Sequence, residues 1–295
     1  MAMRKCDLFK KEWKAGKKNV RCFACSQRCL IAENKVGICG VRKNIDGKLY
    51  LLVYGRVAAE HIDAIEKKPL YRFLPGSKAF TIGTVGCSMK CDWCQNFDIS
   101  QVSKSGIIFG EERTAEQIVN EALVNNCKSI AYSYNEPAIY SEWVKEIATL
   151  ARKKKIHNVL VTNGYFTKES LNYLYPLIDA ANVDMKSFSD KTYRKFCGAK
   201  LKPVLDCIRL LHKQGVHVEI TTLIIPGIND SEKELKAIAK FIFSLDKKGN
   251  VAWHISRFFP MYKMKEKHFT PIETLQKAYE IGKKTGLRFV YVGNV

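Results

Sequence analysis

The sequence contains no run of apolar residues approaching the roughly 20 that a helix needs to cross a bilayer. Its basic N-terminus, residues 1–18, lacks both the apolar stretch and the small-residue cleavage site of a secretory signal peptide. We therefore expect neither membrane insertion nor export, and a cytoplasmic location. Because 46% of the residues are apolar and 26% are charged, the composition is that of an ordinary globular protein.

Acidic residues are scarce relative to basic ones, with 29 Asp and Glu against 49 Lys and Arg and a net charge of +20. Such a surplus can indicate nucleic-acid binding, but the lysines are spread along the chain and form no single stripe. The densest run, residues 152–155, is typical of a solvated helix end. We therefore expect no nucleic-acid partner, whereas an acidic protein or an anionic cofactor is compatible with the charge.

Eleven cysteines are present, and in a reducing compartment clustered cysteines more often bind metal or perform chemistry than form disulfides. Seven of them fall into two groups, one between residues 22 and 39 and the other between residues 87 and 94. The other four are scattered and are expected to be mostly buried thiols: Cys6, Cys127, Cys197 and Cys207.

From about residue 79 the sequence alternates short β-rich runs with helical patterns. The predicted strands cover residues 79–84, 129–133, 157–162, 180–185, 216–224, 251–256 and 289–292. The predicted helices cover residues 114–126, 137–154, 168–174, 190–196, 202–214, 231–244 and 272–284. Strand–helix alternation of this kind builds a parallel sheet, and six or more units can curl into a full or partial barrel. The predicted fold is therefore α/β, a partial (β/α)6-type TIM barrel of parallel strands over residues 71–295.

Residues 1–70 have a different pattern, which predicts a small N-terminal cysteine-rich module. Residues 48–57 alternate loosely and are expected to form a hairpin strand after the turn Asp46-Gly47. The four thiols of this region have the spacing C-x2-C-x3-C-x9-C; they are Cys22, Cys25, Cys29 and Cys39. Four thiolates suit a structural zinc ion or a fully ligated auxiliary iron–sulfur cluster, and four unrelated thiols are the alternative.

In parallel β/α folds the catalytic and binding residues lie at the carboxyl ends of the strands. The first predicted strand is followed by GCSMKCDWC at residues 86–94, which we name the three-thiol loop because it carries Cys87, Cys91 and Cys94. Three thiolates can hold an iron–sulfur cluster while one iron lacks a protein ligand and is open to a substrate. On spacing alone, zinc with a distant fourth ligand and an electron-transfer cluster with a remote fourth cysteine are the alternatives.

The three-thiol loop resembles the signature of the radical S-adenosylmethionine (SAM) superfamily, in which an aromatic residue, here Trp93, precedes the last cysteine. The segment YNEP at residues 134–137 stands where that superfamily has its methionine-amino-group motif. Three further strand ends resemble the pyruvate formate-lyase activases, which activate glycyl-radical enzymes: TNG at 162–164, DMK at 184–186 and IPG at 225–227.

Two longer segments are similar to the branch called the AmmeMemoRadiSam-system radical enzyme. They are IEKKPL at residues 65–70 and WHISRF at residues 253–258. The chain departs from the glycyl-radical activases at Val161, where those enzymes have an acidic residue that helps to hold a cation. Cation binding is therefore not expected at this position.

The resemblance implies that Cys87, Cys91 and Cys94 hold a 4Fe–4S cluster whose open iron binds SAM. Reductive cleavage of SAM would give methionine and a 5′-deoxyadenosyl radical that abstracts hydrogen from a protein or another substrate. The resemblance also implies an electron donor such as flavodoxin or ferredoxin, and we expect the chain to be a monomer.

Three of the implied SAM contacts lie close to the three-thiol loop. Trp93 would face the adenine, and Asn135 and Glu136 would accept hydrogen bonds from the methionine ammonium group.

The remaining implied contacts come from later strand ends. Asp184 and Lys186 would anchor the ribose, the carboxylate or an ion, and His254 would reach the ribose or the carboxylate. Thr162 and Asn163 complete the set. Taken singly, an Asp-x-Lys pair is also compatible with an exposed ion pair, and a lone histidine with a purely structural one.

A second hypothesis comes from a different class of protein. A basic protein that binds metal clusters for structural purposes, or that docks a nucleic acid, would share the same cysteines and the same charge. Reductive cleavage of SAM would distinguish the two, because only the radical enzyme performs it.

Overall fold

The computed structural model describes residues 3–14 and 16–295. Met1, Ala2 and Ala15, which belong to the stretch assessed for a signal peptide, lie outside the described residues. No helix in the described part of the chain is long and apolar enough to span a membrane.

The chain as far as Ala64 is built from short strands. They are β1 Arg4–Lys5, β2 Phe9–Lys14, β3 Lys17–Cys22, β4 Leu30–Ile31, β5 Arg42–Ile45, β6 Lys48–Leu51, β7 Arg56–Val57 and β8 Ala59–Ala64. The strands that follow are β9 Lys78–Gly83, β10 Glu111–Glu112, β11 Ser129–Tyr132, β12 His157–Thr162, β13 Ala180–Asp184, β14 His217–Ile224, β15 Ala252–Arg257 and β16 Val290–Gly293.

Helices separate the later strands. The α-helices are α1 Phe97–Ser100, α2 Ala115–Val124, α3 Ser141–Lys153, α4 Lys168–Leu174, α5 Asp190–Thr192, α6 Leu201–Lys213, α7 Glu232–Leu245 and α8 Ile272–Thr285. Short 3-10 turns cover Ile65–Lys67, Val102–Ser105, Pro137–Tyr140 and Tyr175–Leu177, and a π-helix covers Tyr193–Cys197.

The main sheet has eight strands in the order β16-β15-β14-β13-β12-β11-β9-β8. Seven of them, β9 and β11 to β16, run parallel, because the connections between successive members return the chain to the same edge. The expected α/β class with a parallel sheet is confirmed. Since consecutive parallel strands are neighbours, their carboxyl ends line one edge in chain order.

The eighth strand comes from the region that the sequence interpretation placed in the N-terminal module. Strand β8 pairs antiparallel with β9, with Ala59 opposite Gly83 and Ala64 opposite Lys78. Its sequence, AEHIDA, has few apolar residues, and none of its side chains is fully buried. It therefore lacks the alternation that marks a strand, although an antiparallel edge strand can be half solvated.

Two small antiparallel sheets precede the main sheet, in the orders β1-β6-β5 and β2-β3-β4. Strands β5 and β6 form the expected hairpin across Asp46-Gly47, whose φ angles of 49° and 69° suit a two-residue turn with two left-handed residues. The expected single strand over residues 48–57 is broken, since β6 ends at Leu51 and β7 pairs with β10 instead.

The N-terminal sheets share one hydrophobic core with the parallel sheet. Arg42 on β5 and Glu142 on α3 form an ion pair in this core, with 1% and 0% of their side chains exposed. Arg42 Nε also donates to the Ile139 carbonyl at 2.7 Å, and Glu142 accepts from the backbone N–H of Asp7 at 3.1 Å. This pair fastens the N-terminal region to the third helix.

Replacing Arg42 with Met should destabilise the protein by about 3–5 kcal/mol, because it leaves the Glu142 carboxylate buried without its cation. Chemical denaturation under anaerobic conditions measures the free energy of unfolding. Arg28→Met is the matched control: Arg28 pairs with Glu169 where both side chains are about half exposed, and its loss should cost at most about 1 kcal/mol. Equal losses in the two variants would contradict the anchoring role of Arg42.

Candidate active site

A cavity of about 270 Å³ lies at the carboxyl edge of the parallel sheet. Its lining includes all three thiols of the three-thiol loop, Cys87, Cys91 and Cys94. Six of the eight residues expected to contact SAM also line it: Trp93, Asn135, Thr162, Asn163, Asp184 and Lys186. The structure therefore brings residues from the ends of four strands, β9, β11, β12 and β13, to one cavity.

The three-thiol loop has no regular secondary structure, and neighbouring elements hold its backbone. The N–H of Lys90 donates to the Cys197 carbonyl at 2.9 Å, and that of Asp92 donates to the Phe196 carbonyl at 3.0 Å. The N–H of Gly86 donates to the Ile99 carbonyl at 2.8 Å. Because α1 and the π-helix take up these donors, the loop is ordered without forming a strand or helix of its own.

Hydrogen-bond donors surround the sulfur atoms of the loop. Cys87 Sγ accepts from the Met89 N–H at 3.4 Å and lies 3.6 Å from the amide nitrogen of Asn163. Cys94 Sγ shares a hydrogen bond of 3.1 Å with the Ser100 hydroxyl. Donors of this kind stabilise thiolates bound to a metal, so the residues fit an iron–sulfur cluster.

Burial raises the pKa of Cys87 and Cys94 above the ordinary thiol value. A hydrogen bond with the Cys197 thiol, together with burial, raises the pKa of Cys91. Metal binding requires these thiols to lose their protons. Lys104 opposes the rise at Cys87, and Lys186 opposes it at Cys91 and Cys94. These two ammonium groups favour the thiolate form that a cluster needs.

Lys186 is a fixed cation in the cavity wall. Its Nζ lies 3.0 Å from Asp184 Oδ2, and 14% of its side chain is exposed. Burial disfavours its charged form, but the Asp184 carboxylate and the Cys91 thiol outweigh burial and raise the pKa of Lys186 well above its usual value. Lys186 can therefore attract the carboxylate of a ligand in the cavity.

Two amide side chains of the cavity wall brace the backbone. Asn135 donates to the Thr84 hydroxyl at 2.8 Å and to the Gly86 carbonyl at 3.0 Å. Asn163 donates to the Ser88 hydroxyl at 3.2 Å as well as approaching Cys87. Both therefore tie the strand ends β11 and β12 to the three-thiol loop.

Glu136 does not line the cavity. Its carboxylate is completely buried and accepts from the Thr162 hydroxyl at 2.8 Å, the Asn163 N–H at 2.8 Å and the Ala138 N–H at 3.0 Å. Since its oxygens are engaged within the protein, the structure does not place it to accept from a substrate ammonium group. It instead orders the turn after β12 that carries Asn163.

His254 also lies away from the cavity. Its Nε2 is 2.6 Å from Glu219 Oε2, in the interior of the sheet, and only 6% of the residue is exposed. Glu219 also accepts from the backbone N–H of Arg72 at 2.8 Å and pairs with His217 at 2.9 Å. His254 therefore belongs to this polar cluster and not to the cavity lining, and its contact with ribose or carboxylate stays a prediction.

Sequence reasoning missed Glu219 and Lys104. Glu219 is the one acidic residue of β14, HVEITTLI, and a carboxylate in such an apolar strand is a signal for a buried partner. Lys104 lies on the 3-10 turn after α1 and donates to the Met89 carbonyl at 2.8 Å, inside the three-thiol loop. No pattern in the sequence relates Lys104 to the loop, because the contact depends on how that turn folds back.

The four N-terminal thiols, Cys22, Cys25, Cys29 and Cys39, are free, with Cys29 half buried and the others buried. No three His, Cys, Asp or Glu side chains within residues 3–14 and 16–295 are placed as ligands of one metal ion. Thiolates that hold a cubane bind different irons, so the three-thiol loop does not require such convergence.

Glu136 makes stability depend on pH. Burial raises its pKa to about 7, although the N–H groups of Asn163 and Ala138 oppose the rise. In the unfolded chain the carboxyl has its ordinary pKa of about 4.3, so the native state holds a proton that the unfolded state releases between these values. Glu136 therefore lowers the stability of the fold as pH rises from about 4.3 to about 7.

Glu136→Gln should abolish this contribution. The free energy of unfolding of the variant, relative to that of wild type, should therefore increase from about pH 5 to about pH 8. Anaerobic thermal unfolding at the two pH values measures the difference. Glu116→Gln, which changes an exposed carboxyl on the first turn of α2, should show no such trend. If the difference in unfolding temperature between Glu136→Gln and wild type is the same at both pH values, as for Glu116→Gln, Glu136 does not titrate in this range.

Comparison with known proteins identifies the family to which this chain is similar. The pattern of the radical SAM superfamily matches residues 81–242, more than half of the chain. An uncharacterized protein of Methanocaldococcus jannaschii is 42% identical over 94% of this chain and 81% of its own length. The pyruvate formate-lyase-activating enzyme of Streptococcus mutans is 25% identical over 58% of this chain and 68% of its own length.

A solved structure shows the same fold at lower identity. The radical SAM methyltransferase from Sphaerobacter thermophilus has a TM-score of 0.53 and 15% identity, and the match covers 75% of this chain and 67% of that one. The alternative of a metal-binding protein without catalytic activity is set aside, because the superfamily pattern covers more than half of the chain and the relatives named pyruvate formate-lyase-activating enzyme are enzymes. This chain belongs to the radical SAM superfamily and is a radical SAM enzyme.

Proposed function

We propose that this enzyme takes a hydrogen atom from a protein, as an activase of a glycyl-radical enzyme. Membership of the superfamily implies a 4Fe–4S cluster and SAM as cofactors. The observation that carries the proposal is the convergence of Cys87, Cys91 and Cys94 on one cavity with Asp184 and Lys186. The names of relatives such as the pyruvate formate-lyase-activating enzyme support the activase class.

When bound, the reduced cluster supplies one electron that cleaves SAM into methionine and a 5′-deoxyadenosyl radical, which accepts a hydrogen atom from the substrate. The protein's own groups prepare the site for this chemistry. Lys186 holds the ligand carboxylate by charge, and the buried face of Trp93 excludes water from the cavity wall. The amide of Asn163 and the N–H of Met89 hold the Cys87 sulfur in position.

The same cavity supports the proposal that the open sheet curves as a partial barrel of the (β/α)6 type. Its lining comes from segments at or near the ends of six neighbouring strands, from the three-thiol loop after β9 to Ser256 on β15. A flat sheet would hold its outer strand ends too far apart to share one cavity. The division into a cysteine-rich module at residues 1–70 and a barrel at 71–295 is part of this proposal.

The rim of the cavity supports a protein as the substrate. Phe97 stacks on Tyr262 with ring centroids 4.9 Å apart, and the Lys263 N–H donates to the Asp92 carbonyl of the three-thiol loop. Arg257, next to the lining residue Ser256, lies over the rings of Phe259 and Phe269, which are 40% and 54% exposed. Exposed aromatic rings beside an arginine are typical of protein contact surfaces, and the charge of +20 suits an acidic partner.

Two finer assignments belong to the proposal. The electron comes from a low-potential donor such as flavodoxin or ferredoxin, and an acidic surface on that donor would complement the basic chain. A zinc ion or an auxiliary iron–sulfur cluster is held by Cys22, Cys25, Cys29 and Cys39.

The cluster assignment is tested by changing Cys87, Cys91 and Cys94 to Ala together. The triple variant should lose the cluster's visible absorbance and its production of 5′-deoxyadenosine from SAM, because no thiolate remains to hold the irons. Cys127→Ala, at a scattered buried thiol, should retain both. Full iron and full SAM cleavage in the triple variant would remove the assignment.

The activase assignment needs a separate measurement. With pyruvate formate-lyase as acceptor, the reduced enzyme and SAM should generate the electron paramagnetic resonance (EPR) signal of a glycyl radical. Cleavage of SAM without any radical on this or another glycyl-radical protein would contradict the activase class.

Lys186→Met should weaken SAM binding roughly ten- to a hundredfold, since a hydrogen bond to a charged group contributes about 1.5–3 kcal/mol. Calorimetric titration of the loaded variant measures the affinity, and its iron content shows whether the cluster is intact. Lys191→Met, on the short helix α5 and outside the cavity lining, is the control and should bind as wild type does. Unchanged affinity in Lys186→Met would exclude contact between Lys186 and the SAM carboxylate.

A further inference from the structure

A series of hydrogen bonds leads from Lys104 to the sulfur of Cys94, and we name it the Lys104 relay. Lys104 Nζ donates to Gln101 Oε1, and Gln101 Nε2 donates to the Ser100 hydroxyl at 2.9 Å. Ser100 Oγ lies 3.1 Å from Cys94 Sγ. Since a metal-bound thiolate has no proton to give, the hydroxyl is the donor of this last bond. Every donor in the relay then points toward the sulfur.

The local fold places these side chains in line. Ser100 is the last residue of α1, and the chain then tightens into the 3-10 turn Val102–Ser105. Gln101 and Lys104 are three positions apart, and side chains at this spacing are eclipsed in a 3-10 helix. The amide therefore meets the ammonium group. Because only 2% of Ser100 is exposed, water does not compete for its hydroxyl.

The turn that carries Lys104 is fixed by its neighbours. The Ser103 hydroxyl donates to the Cys39 carbonyl at 2.8 Å. A Cβ atom on Gly40 would lie only 2.4 Å from the Ser103 carbonyl oxygen, so the N-terminal segment packs directly against the turn. Lys104 Nζ also donates to the Met89 carbonyl at 2.8 Å. The ammonium group is therefore held between the turn and the three-thiol loop.

Both oxygens that accept from Lys104 are neutral, one from a backbone carbonyl and one from an amide. Lys186, in contrast, lies 3.0 Å from the Asp184 carboxylate. Burial lowers the pKa of Lys104, and the Cys87 thiol opposes this change. Among its hydrogen-bond partners in the described part of the chain, no carboxylate offsets the positive charge of Lys104.

The reduction potential of an iron–sulfur cluster depends on its net charge and on the hydrogen bonds to its sulfurs. Reduction adds one negative charge, and a hydrogen bond to a more negative acceptor is stronger. Hydrogen bonds in series also polarise one another. A relay that ends in a cation should therefore stabilise the reduced cluster more than the oxidised one.

We propose that Lys104 is a positioning residue that raises the reduction potential of the cluster on the three-thiol loop. It acts through Gln101 and Ser100 on the Cys94 sulfur. One electron from the low-potential donor protein enters the cluster, no covalent bond forms or breaks, and the protons of the relay stay on their own side chains. The inference rests on the proposed function in one respect, the presence of the cluster on the loop.

Lys104→Met tests the proposal in anaerobically loaded protein, by a redox titration monitored by EPR. The equilibrium should shift roughly tenfold toward the oxidised cluster, which lowers the potential by about 59 mV for a one-electron couple. Lys90→Met is the matched control, because it removes the same charge from an exposed side chain of the same loop. Solvent and salt screen that charge, so the potential should stay close to that of wild type. Equal potentials in Lys104→Met and Lys90→Met would overturn the proposal.

Ser100→Ala tests whether the charge acts along the relay, since it keeps Lys104 and removes the last donor. This variant should also have a lowered potential. Lys104→Met added to it should produce a smaller shift than in the wild-type background, because either change interrupts the same series of bonds. Strictly additive shifts would contradict the relay. Ser100→Ala, with its iron content measured, also decides the case if Lys104→Met fails to hold the cluster: an unchanged potential would overturn the proposal.

The potential is recorded without SAM and without a protein substrate, so it does not depend on turnover. A wild-type protein that gives no cluster signal on reduction would remove the cluster assignment and this inference with it. A normal wild-type signal together with an unshifted potential in Lys104→Met would leave the proposed function standing and overturn the role of Lys104.

Discussion

The structure depends on holding three thiols on a loop that has no secondary structure of its own. Backbone N–H groups buried without partners are costly, so the loop must find acceptors on its neighbours. The π-helix Tyr193–Cys197 provides two of them, the carbonyls of Phe196 and Cys197. Helix α1, Lys104 and Gln27 hold the loop from its other sides. The cavity, its charged wall and the contacts with the N-terminal strands all follow from this arrangement.

Buried carboxylates in this protein mostly support the framework. Glu136 orders the turn after β12, and Glu142 anchors Arg42. Glu219 contacts the rings of His217 and His254 and accepts a hydrogen bond from the backbone N–H of Arg72. The cavity itself relies on Lys186 and Asp184, whose opposite charges are partly accessible. The buried carboxylates thus have partners within the protein, whereas the Lys186–Asp184 pair is partly accessible in the cavity.

Much of the fold could be predicted because the periodic patterns are strong. The bounds of β12 and α4 agree with the predicted 157–162 and 168–174, and the three-thiol loop follows β9 as expected. The buried partners of Glu136 and His254 could not be read from the sequence. Glu136 lies in the turn after β11 and His254 in the middle of β15, and their partners Thr162 and Glu219 are distant in the chain. The predicted helix from Pro137 likewise begins as a 3-10 turn, and α3 starts only at Ser141.

The central claim is that an iron of the cluster on the three-thiol loop is open to SAM. The most direct test is the EPR spectrum of the reduced, fully loaded wild-type protein recorded without and with SAM. Our account predicts the signal of a reduced 4Fe–4S cluster that changes when SAM is added, because SAM binds the iron that lacks a protein thiolate. A cluster signal that saturating SAM leaves unaltered would contradict it.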